Sequence, residues 1–256
     1  MRRARVIPTL LINDRKLVKT TQFKNASYVG DPINALRIFN EKEVDEICIL
    51  DIGATRDNKP PDMAYIGQLA SECFMPMSYG GGITRKEQAN ELFKLGVEKV
   101  VIGSAAFTNP KLITDISSMG GAQSVVACID IGKDFLGRWK AFVKNGTINT
   151  KINPVDVARK MEELGAGEIL LQNIAHEGTL RGFDLQKIKE IALGLTIPVV
   201  ASGGAATPHD FLLAIQAGAS AVAAGAMFVF KGPHRAVLIN YPDQETLTRE
   251  LYSHLE

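Results

Sequence analysis

The sequence predicts a single (β/α)8 TIM barrel that spans residues 1–256 and is built from two similar halves. Three observations support this fold: eight short apolar segments, helical stretches between them, and motifs repeated at one spacing. Parallel strands covered on both faces form continuous apolar runs, and repeated βα units of this number close into a barrel. Such a barrel typically has about 250 residues, which matches the chain length of 256.

The candidate strands are rich in β-branched residues. They are Arg5–Leu11, Glu46–Ile52, Met75–Tyr79, Lys99–Gly103, Ser124–Asp130, Glu168–Asn173, Pro198–Ser202 and Ala221–Ala224. Most segments between them have helical periodicity, as in Glu87–Gly96. Three segments are irregular: Asn58–Pro61, Gly132–Gly146 and the tail after Lys231. The second predicts a hairpin-like insertion after the fifth strand, and none has the composition of an interdomain linker.

Three motifs recur with the same offset. The equivalent pairs are Gly82 and Gly204, Glu46 and Glu168, and Gly96 and Gly218, and each difference (204 − 82, 168 − 46, 218 − 96) is 122 residues. One offset shared by three motifs indicates a long-period repeat. We therefore expect two half-barrels of four βα units each.

The composition limits the classes of partner. Hydrophobic residues make up 46% of the chain, charged residues 22%, and the net charge is +1, so neither nucleic acid nor a membrane surface is expected. No apolar run approaches the roughly 20 residues that cross a bilayer, and the start lacks a signal-peptide pattern. The cysteines Cys48, Cys73 and Cys128 show neither metal-ligand spacing nor an even disulfide set. A cytoplasmic protein without metal or cofactor is predicted.

Glycine pairs follow the third and seventh candidate strands. Adjacent glycines let backbone N–H groups approach an anion closely, so these turns predict two phosphate-binding cradles facing each other across the barrel mouth. The alternative is that the glycines only permit tight βα turns. The first cradle comprises Gly81, Gly82, Gly103 and Ser104, and its symmetry mate comprises Gly203, Gly204, Gly225 and Ala226, which lacks a hydroxyl group.

Four charged residues stand at the beginnings of candidate strands, at the opposite end of the barrel. If Arg5, Glu46, Lys99 and Glu168 all point inward, they form a neutral ring of ion pairs. Such a ring could stabilise the bottom of the barrel. Buried ion pairs are weak stabilisers after desolvation, however, so a polar plug there also fits a functional role. The residues alone leave both interpretations open.

Asp130 ends the fifth candidate strand, at the face where barrels of this type hold their active sites. A carboxylate there is a candidate general acid or base, and the alternative is a cap for a helix or loop. Its counterpart in the first half is Leu11, which cannot carry a proton. A mechanism with two paired carboxylates would therefore lack one proton carrier.

Other polar residues are candidates for substrate contact. Lys19, in the first loop, and Asp51, at the end of the second strand, could bind a sugar hydroxyl or a phosphate, or they could be solvated loop charges. His176, Glu177 and Gly178 supply a titratable pair beside a glycine turn after the sixth strand. A lone histidine is more often structural than catalytic. The histidines show no triad or metal-ligand spacing.

Several segments together resemble HisF, the cyclase subunit of imidazole glycerol phosphate synthase. The likeness runs from about Arg3 to Phe230 and is carried by Ile7-Pro8, Val18-Lys19, Gly30-Asp31-Pro32, Asp51-Ile52, Gly80-Gly81-Gly82-Ile83, Ala127-Cys128-Ile129-Asp130, Gly165 to Leu171 and Ala201-Ser202-Gly203-Gly204-Ala205. The resemblance implies a ribulose-phosphate-binding type of barrel from a lyase family of histidine biosynthesis. It also implies a phosphorylated small molecule as ligand.

In that family, ammonia from a glutaminase docked at the bottom face passes through the centre of the barrel. The family's gate is an Arg-Glu-Lys-Glu cluster, which Arg5, Glu46, Lys99 and Glu168 match one by one. The resemblance therefore implies an ammonia channel and a glutaminase (HisH-like) partner at the N-terminal face of the barrel.

The top face departs from the family pattern. The family uses two catalytic aspartates, and here Leu11 stands at one position and Asp130 at the other. The family's Asp-Arg-Asp-Gly-Thr stretch becomes Ala-His-Glu-Gly-Thr at residues 175–179, and its second phosphate-binding serine becomes Ala226. Since a general acid or base typically supplies 10²- to 10⁴-fold in rate, we expect intrinsic cyclase activity to be impaired.

This combination is similar to the HisF-like paralogues of surface-polysaccharide gene clusters. The resemblance implies a subunit of a glutamine amidotransferase complex that channels ammonia toward a separate sugar amidotransferase, which makes an acetamidino sugar for lipopolysaccharide O-antigen. Two alternatives stay open: a true cyclase of histidine biosynthesis, and a non-catalytic module that binds a phosphosugar.

Overall fold

The computed structural model describes residues 3–232 and 234–255. Its strands are β1 (Arg5–Asn13), β2 (Lys16–Thr21), β3 (Lys24–Gly30), β4 (Ile47–Asp51), β5 (Met77–Gly80), β6 (Lys99–Ile102), β7 (Val125–Lys133), β8 (Trp139–Val143), β9 (Ile148–Asn149), β10 (Glu168–Asn173), β11 (Val199–Ser202), β12 (Ala221–Ala224), β13 (Phe230–Lys231) and β14 (Ala236–Val237).

The helices are α1 (Pro32–Glu41), α2 (Ile52–Arg56), α3 (Met63–Ser71), α4 (Lys86–Lys94), α5 (Ala105–Thr108), α6 (Lys111–Gly120), α7 (Pro154–Glu163), α8 (Leu185–Ala192), α9 (Pro208–Gln216), α10 (Ala226–Val229) and α11 (Gln244–Glu250). Short 3-10 turns lie at Ala122–Ser124 and Tyr252–His254. Within the described ranges, no helix combines the length and the apolar character needed to cross a membrane.

Eight of the strands close into a parallel barrel. Their order around it is β1, β4, β5, β6, β7, β10, β11 and β12, and β12 pairs again with β1. Neighbours in this order are parallel throughout. The predicted (β/α)8 fold is confirmed, and the ends of the predicted strands differ from those observed by no more than three residues.

The two halves repeat in the structure with the offset found in the sequence. Helices α1 and α7 begin at Pro32 and Pro154, and strands β5 and β11 begin at Met77 and Val199, so both differences (154 − 32, 199 − 77) are 122 residues. In both helices a capping side chain precedes the proline. Proline suits this position because its φ fits a helix start and no N–H is needed there.

Each half expands the connection after its first strand into a hairpin. β7 continues antiparallel into β8, which confirms the insertion predicted within Gly132–Gly146. β1 likewise turns back into β2, and β2 pairs with β3. The turn residues Asp14 and Arg15 both have positive φ, as a two-residue hairpin requires. The expectation that Lys19 lies in a loop is therefore wrong: this residue belongs to β2 and is buried.

An apolar layer lies at the centre of the barrel interior, between two polar ends. Its residues are Ile7, Cys48, Val101, Val126, Leu170, Val200, Ala221 and Ala223. A larger apolar cluster lies between the strands and the surrounding helices. The four predicted ring residues stand at the N-terminal side of the central layer, and the glycine turns stand at its C-terminal side.

Candidate functional site

A cavity of about 700 Å³ opens at the C-terminal ends of the barrel strands. Barrels of this type place their active sites at this face. His176 is not among the described residues that line the cavity, whereas the other predicted site residues of this face are: Leu11, Lys19, Asp51, Gly81, Gly82, Gly103, Ser104, Asp130, Glu177, Gly178, Gly203, Gly204, Gly225 and Ala226. The structure thus brings together residues from both halves of the chain.

The first cradle combines a glycine turn of positive φ with a hydroxyl group. Gly81 and Gly82 have φ values of +123° and +71°, and a Cβ on either would come within 2.5 Å of a backbone oxygen. The turn therefore needs glycine whether or not an anion binds. The Ser104 hydroxyl oxygen accepts the Lys144 backbone N–H at 2.8 Å, which leaves its own hydrogen free to donate into the cavity.

The second cradle has the same glycine turn but different surroundings. Gly203 and Gly204 also have positive φ, +97° and +114°. A Cβ on Gly225 would lie 3.0 Å from the side-chain Cε of Lys19, so the stem of Lys19 packs directly against this glycine. Ala226 is buried and offers no hydroxyl group. The two cradles therefore share the positive-φ backbone of their glycine turns but differ in the side chains around those turns.

Lys19 and Glu177 form an ion pair inside the protein. Their side chains are each 5% exposed and in direct contact. The Thr20 hydroxyl and the Phe23 backbone N–H donate to the same carboxylate at 2.9 and 3.2 Å. Burial lowers the pKa of Lys19 to about 7, and the positive charge of Arg235 lowers it as well. The pair fastens the first-half hairpin to the loop after β10.

Asp130 is a titratable carboxyl group that lines the cavity, and its predicted role as general acid or base stays a prediction. Its carboxylate accepts a weak hydrogen bond from the Cys128 thiol at 3.7 Å, and in the described part of the chain no cation lies within ion-pair distance. Burial raises its pKa to about 7, so it can act as acid or base near neutral pH. The alternative that Asp130 caps a helix or loop is not observed among these residues. Leu11 lines the same cavity.

Asp51 and His176 have structural partners. Asp51 Oδ1 accepts the backbone N–H groups of Gly53 and Ala54, both at 2.9 Å, and so caps α2, while burial raises its pKa. His176 Nδ1 lies 2.7 Å from the carbonyl oxygen of Gly182. Within residues 3–232 and 234–255, no group of three or more His, Cys, Asp or Glu side chains is placed to hold a metal ion.

The predicted charged ring is present at the other end of the barrel. Arg5 contacts both Glu46 and Glu168, and Lys99 Nζ lies 2.8 Å from Glu46 and 3.1 Å from Glu168. The two carboxylates are 6% and 7% exposed, whereas Arg5 is 29% exposed and faces the outside. Although burial opposes it, hydrogen bonds and the negative charge of both carboxylates raise the pKa of Arg5. A gating role for this ring stays a prediction.

Sequence reasoning missed several residues that line the cavity. Lys59, Arg85 and Lys144 add cations near the first cradle, and Thr9 and Gln172 lie at the inner end. Thr9 and Gln172 could have been predicted, because side chains alternate between the two faces of a strand. Thr9 is two residues from Leu11 on β1, and Gln172 is four residues from Glu168 on β10, so each shares the inward face. Thr9 Oγ1 and Gln172 Oε1 are buried and have no hydrogen-bond partner among the described residues.

Comparison with known proteins agrees with this architecture. Residues 5–233 match the family model described as histidine biosynthesis protein. A Pseudomonas aeruginosa protein provisionally named imidazole glycerol phosphate synthase subunit hisF2 is 51% identical over 248 residues, or 96% of this chain and 99% of the relative. A Leptospira interrogans protein provisionally named subunit HisF is 48% identical, covering 96% and 97%. Subunit HisF of Alkaliphilus metalliredigens is 37% identical, covering 88% and 89%. The chain therefore belongs to the histidine biosynthesis protein family and is a HisF-like member of it.

Proposed function

We propose that this chain is the barrel subunit of a glutamine-dependent amidotransferase complex. It accepts ammonia from a HisH-like glutaminase at its N-terminal face and conducts it through the barrel to the cavity. The observation that carries this proposal is the closed ring of Arg5, Glu46, Lys99 and Glu168. Such a ring contributes little net stability, because the cost of desolvating its charges offsets their attraction. A gate for ammonia, in contrast, requires polar groups at this position.

The interior above the ring suits neutral ammonia. The central layer is apolar, and a low-dielectric surrounding favours NH3 over the ammonium ion. Thr9 Oγ1 and Gln172 Oε1, which are buried without a partner in the described ranges, can exchange hydrogen bonds with ammonia in transit. Ammonia would thus reach Asp130 without crossing bulk water.

Exposed apolar side chains support docking at the N-terminal face. Phe74, Leu193 and Met119 are 85%, 78% and 42% exposed. Phe74 and Leu193 lie between a helix and the next strand, and Met119 lies in the last turn of α6, so all three are near the N-terminal ends of the barrel strands. Large exposed aromatic and aliphatic side chains around a charged centre are typical of a protein interface.

We further propose that the final acceptor is a sugar. In this function a separate sugar amidotransferase, working in the cytoplasm, uses the ammonia to make an acetamidino sugar for lipopolysaccharide O-antigen. This proposal is supported by Leu11, because a barrel that only conducts ammonia does not need two proton carriers. It is also supported by Ala226, because the loss of a hydroxyl group fits a different ligand. The 51% identity to the hisF2 protein, against 37% to a HisF subunit, is consistent with a subgroup separate from that subunit.

The second candidate is a true cyclase of histidine biosynthesis. Asp130 favours it, because a carboxyl group with a pKa of about 7 in the cavity is suited to proton transfer. The cavity would then hold the ribulosyl aminoimidazole precursor between the two cradles, with Asp51 near it. A non-catalytic phosphosugar-binding module is the third candidate, and it rests on the cradles alone.

Reconstitution separates these functions. The chain is supplied first with ammonium salts and the cyclase substrate, and then with a glutaminase partner and amide-labelled glutamine. We expect little cyclisation but stimulated glutaminase turnover. Rapid cyclisation would establish the cyclase instead, and failure to form any glutaminase complex would leave the binding module. Phe74→Ser should weaken the stimulation, whereas Phe135→Ser, at a 92% exposed hairpin tip on the opposite face, should not.

A further inference from the structure

We propose that the cavity takes a ligand with a single anionic end, seated in the first cradle, and an uncharged, hydroxyl-bearing end in the second cradle. This inference rests on the proposal that phosphate binds in the cradles, and it adds a charge assignment for each end. It follows from differences between positions that the 122-residue repeat makes equivalent.

The space beside equivalent glycines differs. Gly103 and Gly225 are mates (225 − 103 = 122). A Cβ added at Gly103 would meet nothing closer than 3.9 Å, so the glycine leaves open room that the fold does not use. A Cβ added at Gly225 would meet Lys19 Cε and the Thr9 carbonyl oxygen, both at 3.0 Å. The space beside Gly103 is therefore open to a ligand, whereas the space beside Gly225 is occupied by the Lys19 side chain.

The hydrogen-bond donors differ as well. Ser104 has Ala226 as its mate (226 − 104 = 122). The Ser104 oxygen is held by the Lys144 backbone N–H, so its hydrogen points away from this contact and can be donated to an anion. The buried Ala226 methyl group can make only apolar contact. One charge-assisted hydrogen bond is thus available at the first end and absent at the second.

A cation without an ion-pair partner in the described ranges also belongs to the first end. This cation is Arg85, which lines the cavity beside the first cradle, whereas Lys59, which lines it as well, lies 3.6 Å from the Asp57 carboxylate. Their mates are Arg181 and Thr207 (181 − 59, 207 − 85), neither of which is among the described residues that line the cavity. A dianionic group at the first end therefore finds the Arg85 charge among the described lining residues, whereas the equivalent position at the second end, Thr207, supplies none.

Two cations on the side of the second cradle, Lys19 and Arg235, each have a contact within the protein. Lys19 is buried in its ion pair with Glu177 and presents no net charge. Arg235 is stacked over Phe230, 4.6 Å from the ring centre, and it is not among the described residues that line the cavity. A phosphate here would lose its water while Lys19 stays neutralised by Glu177 and Arg235 lies outside the described cavity lining, which is unfavourable. A sugar hydroxyl, by contrast, can use the backbone N–H groups of the turn.

Counting bound phosphate tests this assignment. Inorganic phosphate is titrated into the full chain by calorimetry, and the number of sites is read from the fit. We expect one site per chain, weakened about tenfold by Arg85→Gln because a charge-assisted hydrogen bond is lost. Lys86→Gln, which removes the neighbouring exposed cation, should leave the affinity unchanged. Gly103→Ala should also weaken binding while its melting temperature stays that of the wild type, since the added methyl group has room.

The possible outcomes distinguish failure of the single-anion assignment from failure of the proposal that phosphate binds in the cradles. Two sites of similar affinity would overturn the single-anion assignment and leave both phosphate cradles standing. No saturable binding would overturn the cradles, and the assignment with them. One site that is indifferent to Arg85→Gln would show that the anion sits elsewhere.

Sugar phosphates provide an independent reading. We expect ribulose 5-phosphate to bind at least about tenfold more tightly than ribulose 1,5-bisphosphate, because the second phosphate would be desolvated beside the Lys19–Glu177 pair. Equal affinities would overturn the assignment. The double variant Glu177→Gln with Ala226→Ser should reduce this preference, since it frees the Lys19 charge and adds a hydroxyl group.

Discussion

The ammonium group of Lys99 lies 3.1 Å from a carboxylate oxygen of Glu168, two strands away around the barrel floor. Arg5 bridges the same two carboxylates as Lys99, so each anion of the ring has two cationic neighbours. One contact can therefore break while every carboxylate keeps a partner. This redundancy is what separates the ring from a simple ion pair, whose opening would leave a buried charge alone.

Replacing Lys99 with methionine should destabilise the protein without unfolding it. Glu46 and Glu168 would share only Arg5, and we expect the free energy of unfolding to fall by about 1–3 kcal/mol, less than for a fully buried pair because Lys99 is 19% exposed. Urea denaturation measures the change. Lys111→Met is the matched control, because the Lys111 side chain is 80% exposed and its ion pair with Asp115 is weak, with the two charged atoms 4.0 Å apart. Equal effects in both variants would contradict a special role for the ring.

The stability of the chain should fall as pH rises through the titration of Asp130. Burial raises the pKa of this carboxyl group to about 7, above the value of about 4 in an unfolded chain. Between these values the folded chain keeps a proton that the unfolded chain has lost, so stability is highest at the acidic end of this window and decreases toward its upper end. Asp130→Asn removes the titration.

We expect the wild type to lose on the order of 1–2 kcal/mol more than Asp130→Asn between pH 5 and pH 8, a value reduced for water in the cavity. Denaturation curves of both proteins at the two pH values give the difference, and other titrating groups cancel in it. Parallel pH dependence in the two proteins would mean that Asp130 titrates normally.

The barrel and most of the cavity could be predicted because they depend on local and periodic signals. Eight apolar segments, glycine turns and one repeat spacing were enough to place Gly82 and Gly204 at the same mouth. The hairpin formed by β2 and β3 was missed, although the repeat contained a signal for it. A hairpin was expected after the first strand of the second half, and the same insertion should have been expected in the first half.

The pairing of Lys19 with Glu177 could not be predicted in the same way. These residues lie 158 positions apart (177 − 19) and meet only because the hairpin folds across to the other half. No periodicity encodes such a contact, and each residue alone suggests a charge available to a ligand. The difference matters, because a neutralised lysine changes which ligand the second cradle fits.

A double-mutant cycle should show strong coupling between Lys19 and Glu177. Glu177→Gln alone leaves a buried ammonium without its counter-charge and should cost about 3–5 kcal/mol. Lys19→Met combined with Glu177→Gln removes both charges and should recover much of this loss, because the glutamine oxygen can still accept from Thr20 and Phe23. Additive effects of the two changes would show that the pair does not interact in solution.

Introducing a carboxylate at position 11 should restore part of a proton relay. Leu11→Asp places a second proton carrier in the cavity that holds Asp130. With ammonium salts and the cyclase substrate, we expect turnover to rise by at least about tenfold, within the range that general acids and bases supply. Leu11→Asn, which matches the size of aspartate but carries no proton, is the control. Inactivity of the first variant would show that the cyclisation site has lost more than this group.

Thr9 allows stability and ammonia transfer to be separated. Its hydroxyl oxygen is buried without a hydrogen-bond partner among the described residues, so Thr9→Val should keep or raise the free energy of unfolding, by up to about 1 kcal/mol. The same change removes a hydrogen-bonding group from the proposed ammonia path. Transfer of nitrogen-15 from amide-labelled glutamine to the acceptor should therefore slow. Amidation of the same acceptor with external ammonium salts should keep its rate, because ammonia then enters from the cavity mouth.

Ile7→Val is the control for Thr9→Val, because Ile7 lies on the inward face of the same strand and lacks a polar atom. It should lower stability by about 0.5–1.5 kcal/mol through lost packing and leave nitrogen transfer intact. Thr9→Val is thus expected to slow transfer without lowering stability, and Ile7→Val to lower stability without slowing transfer. If Thr9→Val transfers nitrogen at the wild-type rate, ammonia does not depend on this hydroxyl group, and a path along β1 has to be replaced by one past Gln172 or outside the barrel.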